Sequence, residues 1–437
     1  MRFRASDVAN AAGGRLVGGD VDLVGVSFDS RSISAGQLFV PLIDQRDGHD
    51  FIDAAIVRGA RAFFTSRGST TDVTVAGATA IVVPDTLEAL MALATARRRL
   101  SAATVIGITG SVGKTSTKDF AWAALAPSRR TWANERSFNN DQGLPTTILN
   151  APDDTEVMVL EMGMRGFGEI RRLCSIAAPS IGVVTRVAEA HSDRVGGIDG
   201  VAVAKAELIE SLPSAGTAIL NGDDARVRSM ATRCAGAVVF FGESDDCDIR
   251  LRGIELDDLA RASFELCTPS GNVMVRLGVS GRHMAANAAA ALACVAVVGG
   301  DLHAAAAALA GVRLTPMRMD VTRSTSGAIV LDDSYNANPT SMRAALDALT
   351  ELPVTRRTAV LGVMAEISDA PEEHLAVAAY ANERNVRVIA WQTHLYGTAP
   401  VDDVLSAIGD LGPDHGVLIK GSRVAALERV AAQVRAR

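Results

Sequence analysis

A buried strand that runs directly into a glycine loop restricts the possible folds of this chain more than any other feature of its sequence. Residues 104–109 read TVIGIT, residues 110–115 read GSVGKT, and a stretch with a helical pattern follows. A strand, a glycine loop and a helix N-terminus together place backbone N–H groups and the helix dipole around phosphate oxygens. In such a loop Lys114 would supply positive charge at the terminal phosphates, and the Thr115 hydroxyl would bind Mg²⁺. The pattern predicts an α/β domain that binds a nucleotide.

The loop is shorter than the usual phosphate-loop pattern. That pattern, G-x-x-x-x-G-K-[ST], is not met because Ile108 occupies the position of its first glycine, and G-x-x-G-K-T remains. The structural alternative is a glycine turn with an exposed lysine, but the flanking strand and helix favour a nucleotide. The motif therefore indicates a nucleotide without indicating a reaction. The candidate nucleotide-binding residues of the loop are Gly110, Ser111, Gly113, Lys114, Thr115 and Ser116.

Strand and helix patterns alternate through most of the chain. This alternation is typical of βαβ units with parallel sheets. We predict an α/β fold of three domains, namely an N-terminal α/β domain (1–98), a central parallel-sheet domain with the phosphate loop (99–312) and a C-terminal doubly wound, Rossmann-like domain (313–437). The strand-like runs beyond the phosphate loop are 156–163, 181–187, 217–220, 327–334, 357–364, 386–392 and 415–422.

Composition and charge exclude several classes of protein. The 437 residues are 48% hydrophobic and 21% charged, a balance typical of soluble globular proteins. A formal charge of -7 argues against nucleic acid or an anionic membrane surface as the main partner. The five cysteines are scattered without a CxxC pair, as is typical of free thiols in a reducing compartment. We therefore expect a cytoplasmic protein.

Apolar segments of the chain do not predict insertion into a membrane. The N-terminal residues lack a continuous apolar run, so we expect no signal peptide. The longest apolar stretch, Met284–Val298, is interrupted by Asn287 and is too short to span a bilayer. It predicts a buried, alanine-rich helix.

Three further residues are candidates for the site, each with a structural alternative. Ligands of open α/β sheets bind at the carboxyl ends of the strands. Glu161 ends an apolar run there, and it is either a second oxygen ligand for Mg²⁺ or a solvated strand end. His191 follows the run 181–187 and is either a ligand or a structural residue. Lys205 lies in a helical pattern, where a lone lysine is ordinarily a surface charge.

Several longer motifs together carry a resemblance to a known family. In the N-terminal part they are Asp29-Ser30-Arg31, Gly36-Gln37-Leu38-Phe39 and Asp47-Gly48-His49-Asp50-Phe51. In the central part they are Asn139-Asn140 with Gly143 and Pro145, Glu161-Met162-Gly163 and Ala190-His191. The C-terminal part holds Ser334-Tyr335-Asn336-Ala337-Asn338-Pro339 and Lys420-Gly421-Ser422-Arg423. With these motifs and its short phosphate loop, the chain resembles the Mur ligases over nearly its whole length, and most of all the branch that adds D-alanyl-D-alanine.

The resemblance implies an ATP-dependent ligase with two Mg²⁺ ions, whose substrates are UDP-N-acetylmuramoyl-tripeptide and D-alanyl-D-alanine. It implies no stable membrane insertion, and we expect a monomer. Lys114, His191 and Lys205 would be catalytic, with Lys205 carrying a carbamate, and Thr115, Glu161, His191 and Lys205 would bind metal. Asn287, Arg318 and Asp333 would join the phosphate loop in binding ATP. The substrate residues implied are Ser30, Arg31, Gly48, His49, Asn139, Asn336, Asn338 and Lys420.

The chain departs from the family pattern at four positions. Met284 replaces a usual Asn near the adenine, and Met317 replaces a usual Gly before Arg318. Arg186 replaces an Asn after the strand that leads to His191, and Val363 interrupts a usual Gly-Asp-Met. Because none of these positions lies in the predicted catalytic set, they put nucleotide preference in doubt rather than the reaction class.

Three alternatives stay open at the level of sequence. A different amide ligase of the same superfamily would share the phosphate loop and Lys205. A regulatory NTP-binding module would explain residues 110–115 but would leave Lys205 and the C-terminal motifs without a role. A ligase-like scaffold without catalysis is the third alternative, and the intact set of charged residues argues against it.

Overall fold

The computed structural model describes residues 3–67, 77–135, 137–188, 195–365, 367 and 370–437. The chain divides into two compact units and passes between them several times. Unit 1 consists of Met1–Gly107, Arg130–Gly163 and Ile170–Ser180. Unit 2 consists of Ile108–Arg129, Met164–Glu169 and Ile181–Arg437. The domain boundaries expected from sequence, at residues 98 and 312, stay predictions.

Unit 1 contains a five-stranded, mostly parallel sheet in the order β2-β7-β6-β5-β4. Only the edge pair β2–β7 is antiparallel. Buried apolar side chains such as Phe39, Phe63 and Ala55 form the core beside this sheet. The strands are Phe3–Arg4 (β1), Arg15–Val17 (β2), Asp22–Leu23 (β3), Val26–Ser27 (β4), Leu38–Phe39 (β5), Ala62–Thr65 (β6) and Thr79–Val82 (β7). The helices are Ala5–Ala11 (α1), Ile52–Val57 (α2) and Thr86–Leu100 (α3), with a 3₁₀ turn at Gly48–Phe51.

The later segments of unit 1 add a parallel strand pair and two helices. The Asn150 side chain fastens this part to the N-terminal sheet, because its amide accepts from Val26 N (2.8 Å) and donates to Val26 O (2.9 Å). The strands are Thr131–Ala133 (β9) and Val157–Glu161 (β10), which pair in parallel. The helices are Gly143–Asn150 (α5) and Glu169–Ala177 (α6).

The strand Thr104–Thr109 (β8) begins in unit 1 and ends in unit 2, where the phosphate loop follows it directly. Its bounds match the predicted run 104–109, and the helix that follows the loop is Lys114–Leu125 (α4). The strand prediction is therefore confirmed at the element that positions the loop.

The first part of unit 2 combines parallel strands with an antiparallel edge. Strands β11 to β14 pair in parallel, whereas β14–β15 and β15–β16 are antiparallel. The antiparallel edge was not predicted, although its burial alternates residue by residue as one-sided strands do. The strands are Ile181–Val184 (β11), Thr217–Asn221 (β12), Ala237–Gly242 (β13), Ile249–Leu256 (β14), Arg261–Thr268 (β15) and Gly271–Ser280 (β16).

The helices of this part include the predicted alanine-rich one, which is Met284–Val297 (α9) and is buried along most of its length. It packs against α4, behind the phosphate loop. Small side chains let two helices approach closely, so α9 supports α4 over a broad contact. The remaining helices are Ile198–Glu210 (α7), Ala225–Ser229 (α8) and Leu302–Leu309 (α10), with a 3₁₀ turn at Met230–Arg233.

The C-terminal part of unit 2 is a second α/β layer with the strand order β17-β18-β21-β19-β20. All pairs except the edge pair β17–β18 are parallel, as predicted for a doubly wound sheet. The strands are Asp320–Arg323 (β17), Ile329–Asp333 (β18), Arg356–Leu361 (β19), Arg387–Ala390 (β20) and His415–Lys420 (β21). The helices are Pro339–Thr350 (α11), Ala370–Glu383 (α12), Val404–Ile408 (α13) and Glu428–Arg435 (α14), with a 3₁₀ turn at Arg423–Ala425.

Among the described residues, no helix has the length and the apolar character that crossing a membrane would require.

Candidate functional site

The phosphate loop has a backbone that only glycine accommodates at two positions. Gly110 has φ +152° and a Cβ there would overlap the Thr185 side chain, while Gly113 has φ +84° and a Cβ would overlap the Asn287 side chain. Gly113 is also the N-cap of α4. The two glycines therefore let the loop approach its neighbours closely and leave the N-terminus of α4 open, which is the arrangement a phosphate group needs.

Hydrogen bonds hold the loop against the segment that follows β11. Ser111 N donates to Arg186 O (2.7 Å), and Ser111 Oγ donates to Ala188 O (2.7 Å). Thr185 Oγ1 donates to Val112 O (2.6 Å). Arg186 contributes its backbone carbonyl here and its side chain is exposed, so the departure from the family's Asn does not disturb this contact.

The polar residues at the start of α4 lie where the sequence places them. Lys114 Nζ donates to Gly110 O (2.6 Å), so the ammonium group lies across the loop. Thr115 and Ser116 are buried at the first turn of the helix. A cation, two hydroxyls and the helix N-terminus thus converge on one loop, and this arrangement stabilises a polyphosphate electrostatically.

Lys205 is buried in α7 and is not the surface charge that a lone helical lysine ordinarily is. Burial lowers the pKa of its ammonium group well below the ordinary lysine value, and the positive charge of Lys114 lowers the pKa further. Both causes disfavour the cation and favour the neutral amine. A neutral amine is the form that reacts with CO₂. His191, its predicted partner, lies outside the described residues, so that pairing stays a prediction.

Glu161 is the last residue of β10 and is buried, which rules out the alternative of a solvated strand end. Asn139 Nδ2 donates to Glu161 Oε1 (2.7 Å), and Glu161 N donates to Asn134 Oδ1 (2.6 Å). Asn139, predicted to contact substrate, therefore orients the carboxylate. Asn134 is a residue that sequence reasoning missed, and a lone asparagine after a strand gives no signal of this role.

The buried, oriented carboxylate of Glu161 is a suitable oxygen donor for Mg²⁺. Among the described residues, no three His, Cys, Asp or Glu side chains cluster as a metal site.

Arg318 reaches the phosphate loop from the segment that precedes the C-terminal sheet. Its Nη2 donates to Thr115 Oγ1 (3.3 Å), and its guanidinium lies over the Tyr335 ring at 4.2 Å from the centroid. Its Nε is buried and has no hydrogen-bond acceptor among the described residues. A buried N–H donor is rarely left without a partner. A site for an anionic ligand would account for this unpaired donor, because the ligand would supply the acceptor.

Asn287 and Met284 lie together on the first turns of α9. Asn287 Nδ2 donates to Met284 Sδ (3.6 Å), and the Asn287 side chain packs against Gly113 of the loop. Met284 is buried. At Met284 a thioether thus replaces the family's usual amide and accepts from the neighbouring Asn287. A thioether sulfur is a weaker acceptor than an amide oxygen.

Asp333 and Lys420 form a buried ion pair at the carboxyl ends of β18 and β21. Lys420 Nζ also donates to Asn336 O (2.9 Å), and Asp333 Oδ1 accepts from Met319 N (3.2 Å). The Asn336 side chain is exposed beside this pair. Charges predicted from two separate motifs therefore meet at one edge of the C-terminal sheet, which is where α/β sheets bind ligands.

Asn338 caps the helix α11. Its Oδ1 accepts from Ser341 N (2.9 Å), and Ser341 Oγ accepts from Asn338 N (3.1 Å), which completes a capping box. Capping of α11 is thus what the structure displays for this side chain. Its predicted contact with substrate stays a prediction.

The N-terminal candidates differ in how accessible they are. Arg31 is exposed and holds both carboxylate oxygens of Asp29 (2.9 and 2.8 Å), while Ser30 is partly exposed between them. His49, in contrast, is buried. Its Nε2 accepts from Ser66 N (3.1 Å), so its Nδ1 carries the proton and donates to Asp47 (2.6 Å). Both ring nitrogens have partners inside the protein, and the predicted contact of His49 with substrate stays a prediction.

Gly48 has a steric reason to be glycine. A Cβ at this position would lie 2.5 Å from both the backbone N and the backbone O of Leu42. We expect Gly48→Ala to lower the free energy of unfolding by about 1–3 kcal/mol, the usual range for forced overpacking. Gly19→Ala is the matched control, because its Cβ would meet nothing within 4 Å. Urea unfolding curves of the two variants would check this, and equal stabilities would contradict the steric interpretation.

Met317 and Met319 flank Arg318 with backbones in the left-handed region, at φ +64° and +51°. This region favours glycine, which explains why the family usually has Gly where this chain has Met317. Two such residues around one arginine indicate a segment that its surroundings hold in place.

Comparisons with known proteins agree with this geometry. Three family models match the chain, described as "Mur ligase family, catalytic domain" over residues 22–98, "Mur ligase middle domain" over 108–295 and "Mur ligase, glutamate ligase domain" over 317–437. The UDP-N-acetylmuramoyl-tripeptide--D-alanyl-D-alanine ligase of Mycobacterium tuberculosis is 41% identical over 80% of this chain and 73% of its own length. The ligase of the same name from Escherichia coli is 34% identical over 97% of this chain and 96% of its own length.

Solved structures give the same result. MurF from Acinetobacter baumannii superposes with a TM-score of 0.86 and 26% identity, covering 100% of this chain and 99% of that one. MurF ligase from Thermotoga maritima in complex with ADP has a TM-score of 0.82 and 27% identity, covering 94% and 97% of the two chains. Taken with the phosphate loop, the buried Lys205 and the arginine that reaches Thr115, these matches establish that the chain belongs to the Mur ligase family, whose members are ATP-dependent ligases.

Proposed function

We propose that this protein joins D-alanyl-D-alanine to UDP-N-acetylmuramoyl-tripeptide at the expense of ATP, forming a precursor of peptidoglycan. The observation that carries the reaction class is the contact of Arg318 with Thr115, because it brings the C-terminal part to the phosphate loop. The names and the extent of similarity of the relatives support the two substrates. The motif of residues 334–339 supports the same branch.

The proposed reaction has two steps. A carboxylate oxygen of the tripeptide attacks the γ-phosphorus of ATP, and the bond to the ADP oxygen breaks, which leaves an acyl phosphate. The amine of the dipeptide then attacks the acyl carbon, phosphate leaves with the C–O electron pair, and the amine gives up a proton. The first step brings an anion to a triphosphate, so it depends on charge neutralisation and in-line positioning.

The residues of this chain supply that neutralisation. The loop amides and the N-terminus of α4 receive phosphate oxygens, and Lys114 and Arg318 add positive charge. The Lys114 ammonium lies across the loop, on Gly110 O, and would turn from that carbonyl to a phosphate oxygen. The buried donor Arg318 Nε gains an acceptor at the same time. These groups stabilise the charge that develops during transfer.

The proposed metal ligands are the Thr115 hydroxyl and the Glu161 carboxylate, with His191 and a Lys205 carbamate for a second ion. Mg²⁺, when bound there, would neutralise phosphate charge and act as a Lewis acid. The donor set supports this assignment because Thr115 and Glu161 present buried oxygen, the element that Mg²⁺ prefers. A carbamate on Lys205 would replace the buried amine by an anion, whose charge a metal ion would neutralise.

The proposed substrate regions follow the same logic. Residues 1–98 would bind the uridine-nucleotide end, with Ser30 and Arg31 as its exposed polar contacts, and the C-terminal sheet edge would present the dipeptide. We expect the protein to act as a cytoplasmic monomer without nucleic acid.

Product mass tests the proposal directly. Incubation with ATP, UDP-N-acetylmuramoyl-tripeptide and D-alanyl-D-alanine should yield one new species heavier than the tripeptide by the dipeptide minus water, with ADP and phosphate formed in equal amounts. A panel of other amines serves as the control. If another amine supports faster ADP release and D-alanyl-D-alanine gives no product, the chain is a different amide ligase of the family.

Asn336 tests the role of the C-terminal edge. Because its side chain is exposed beside the Asp333–Lys420 pair, Asn336→Ala should raise the KM for D-alanyl-D-alanine by about tenfold, the cost of one good hydrogen bond, and leave the KM for the tripeptide unchanged. The backbone carbonyl that accepts from Lys420 is retained in this variant. Steady-state kinetics with each substrate varied in turn would check this.

Asn272→Ala is the matched control for Asn336→Ala, since Asn272 is an exposed asparagine on β16. Unchanged dipeptide kinetics in the Asn336 variant would move the amine-presenting role to other residues, with Lys420–Arg423 the next to test.

A further inference from the structure

Asp119 lies on the helix of the phosphate loop, one turn after Thr115. Residues four apart on an α-helix share a face, so Thr115 and Asp119 present their side chains to the same side of α4. Thr115 accepts from Arg318 on that side. Asp119 Oδ2 accepts from Thr315 N (2.7 Å), three residues before Arg318. One helix face thus contacts the arginine-bearing segment at two points.

Both oxygens of Asp119 are engaged. Oδ2 holds Thr315 N, and Lys118 Nζ lies 2.9 Å from Oδ1. The side chain is 14% exposed, so this interaction is largely shielded from water. A carboxylate held at both oxygens has little freedom, and it therefore fixes the position of the backbone that it accepts from.

The segment beyond Thr315 depends on such anchors. Met317 and Met319 are in the left-handed region on either side of Arg318, a conformation that non-glycine residues keep only when their surroundings impose it. On the far side, Asp333 Oδ1 accepts from Met319 N, and Tyr335 N donates to Met317 O (3.3 Å). Asp119 supplies the anchor on the near side, from the nucleotide-binding helix itself.

We propose that Asp119 is a positioning residue that anchors the segment 315–319 to α4, and so places the Arg318 guanidinium at the phosphate loop for nucleotide binding. This inference rests on the proposed role of Arg318 toward ATP. In this role Asp119 acts through Arg318. Its effect therefore depends on whether Arg318 is present.

A double-mutant cycle on nucleotide affinity tests the proposal. Binding of ADP and of a non-hydrolysable ATP analogue would be measured by titration calorimetry on the full chain. We expect Asp119→Ala and Arg318→Ala each to weaken binding by about tenfold, the effect of losing one hydrogen bond to a charged group. The double variant should bind no more weakly than Arg318→Ala alone, because two residues that act through one contact are not additive.

Conservative and matched variants separate positioning from stability. Asp119→Asn keeps an oxygen acceptor for Thr315 N and should restore affinity to within about threefold of the unmodified protein. Asp301→Ala removes a carboxylate that accepts two backbone N–H groups at the start of α10, and it should lower only the melting temperature. Melting curves of every variant identify any that fail to fold, and Asp119→Asn then carries the test.

The possible failures are distinguishable. Unchanged affinity in Arg318→Ala would overturn the nucleotide role of Arg318 and this inference with it. Weakened binding in Arg318→Ala, combined with full additivity in the double variant or normal affinity in Asp119→Ala, would overturn the positioning role alone and leave the proposed function intact.

Discussion

Lys205→Ala should leave a folded protein with at most about one hundredth of the ligase rate, the usual cost of losing a buried electrostatic group in an active site. The fold should persist because the change removes a buried amine whose charge is costly to bury, while the rest of α7 keeps its apolar contacts. The rate should fall because a carbamate on Lys205 would be an anionic metal ligand. Rates of ADP release and thermal unfolding of the variant would check both statements.

Chemical rescue sharpens this prediction. Formate or acetate should restore part of the activity of Lys205→Ala by filling the vacated anion site, and chloride at equal ionic strength is the control. The carbamate itself can be trapped by alkylation and mapped by peptide mass. Mapping is favourable because the chain contains only four lysines, which are Lys114, Lys118, Lys205 and Lys420. An unmodified Lys205 in fully active, nucleotide-bound enzyme would falsify the carbamate hypothesis.

Lys114→Ala should lower the rate of acyl phosphate formation by about 10²-fold or more, since it removes charge stabilisation from the transferring phosphate. The side chain is half-buried at the surface of the loop and donates to Gly110 O within the same loop, so we expect the melting temperature to change little. Rapid-quench measurement of phosphate transfer would isolate this step from product release.

Arg323→Ala is a suitable control for Lys114→Ala, because it removes one exposed cation on β17 without touching the loop. It should keep the normal rate. Near-normal turnover in Lys114→Ala would mean that this loop does not bind the γ-phosphate, and Arg318 would become the main candidate for that charge.

Local features of the chain were predictable because they depend on neighbouring residues. The run 104–109 gave the strand β8 at the same bounds, and the glycines at 110 and 113 marked a loop that needs positive φ. Strand patterns in the C-terminal part led to the correct class of sheet for the same reason, since a continuous apolar run predicts a strand buried on both faces.

The antiparallel edge β14–β16 was missed, although the alternating burial of β15 and β16 is the pattern of strands with one buried face. The burial of Lys205 could not be predicted from the sequence either. A lysine in a helical pattern has the same local sequence whether its face of the helix meets solvent or protein, and only packing decides between them.

The sequence by itself determined the nucleotide loop, the class of the sheets and the family, because these follow from short-range spacing of residues. The tertiary structure alone decided which polar groups meet. Asp119 and Thr315 lie 196 residues apart in the chain, and Lys420 and Asp333 lie 87 apart. The structure also gave His49 its partners, Asp47 and Ser66, on its two ring nitrogens. Hydrogen-bond partners and burial depend on how distant segments pack, and no local pattern of residues records that packing.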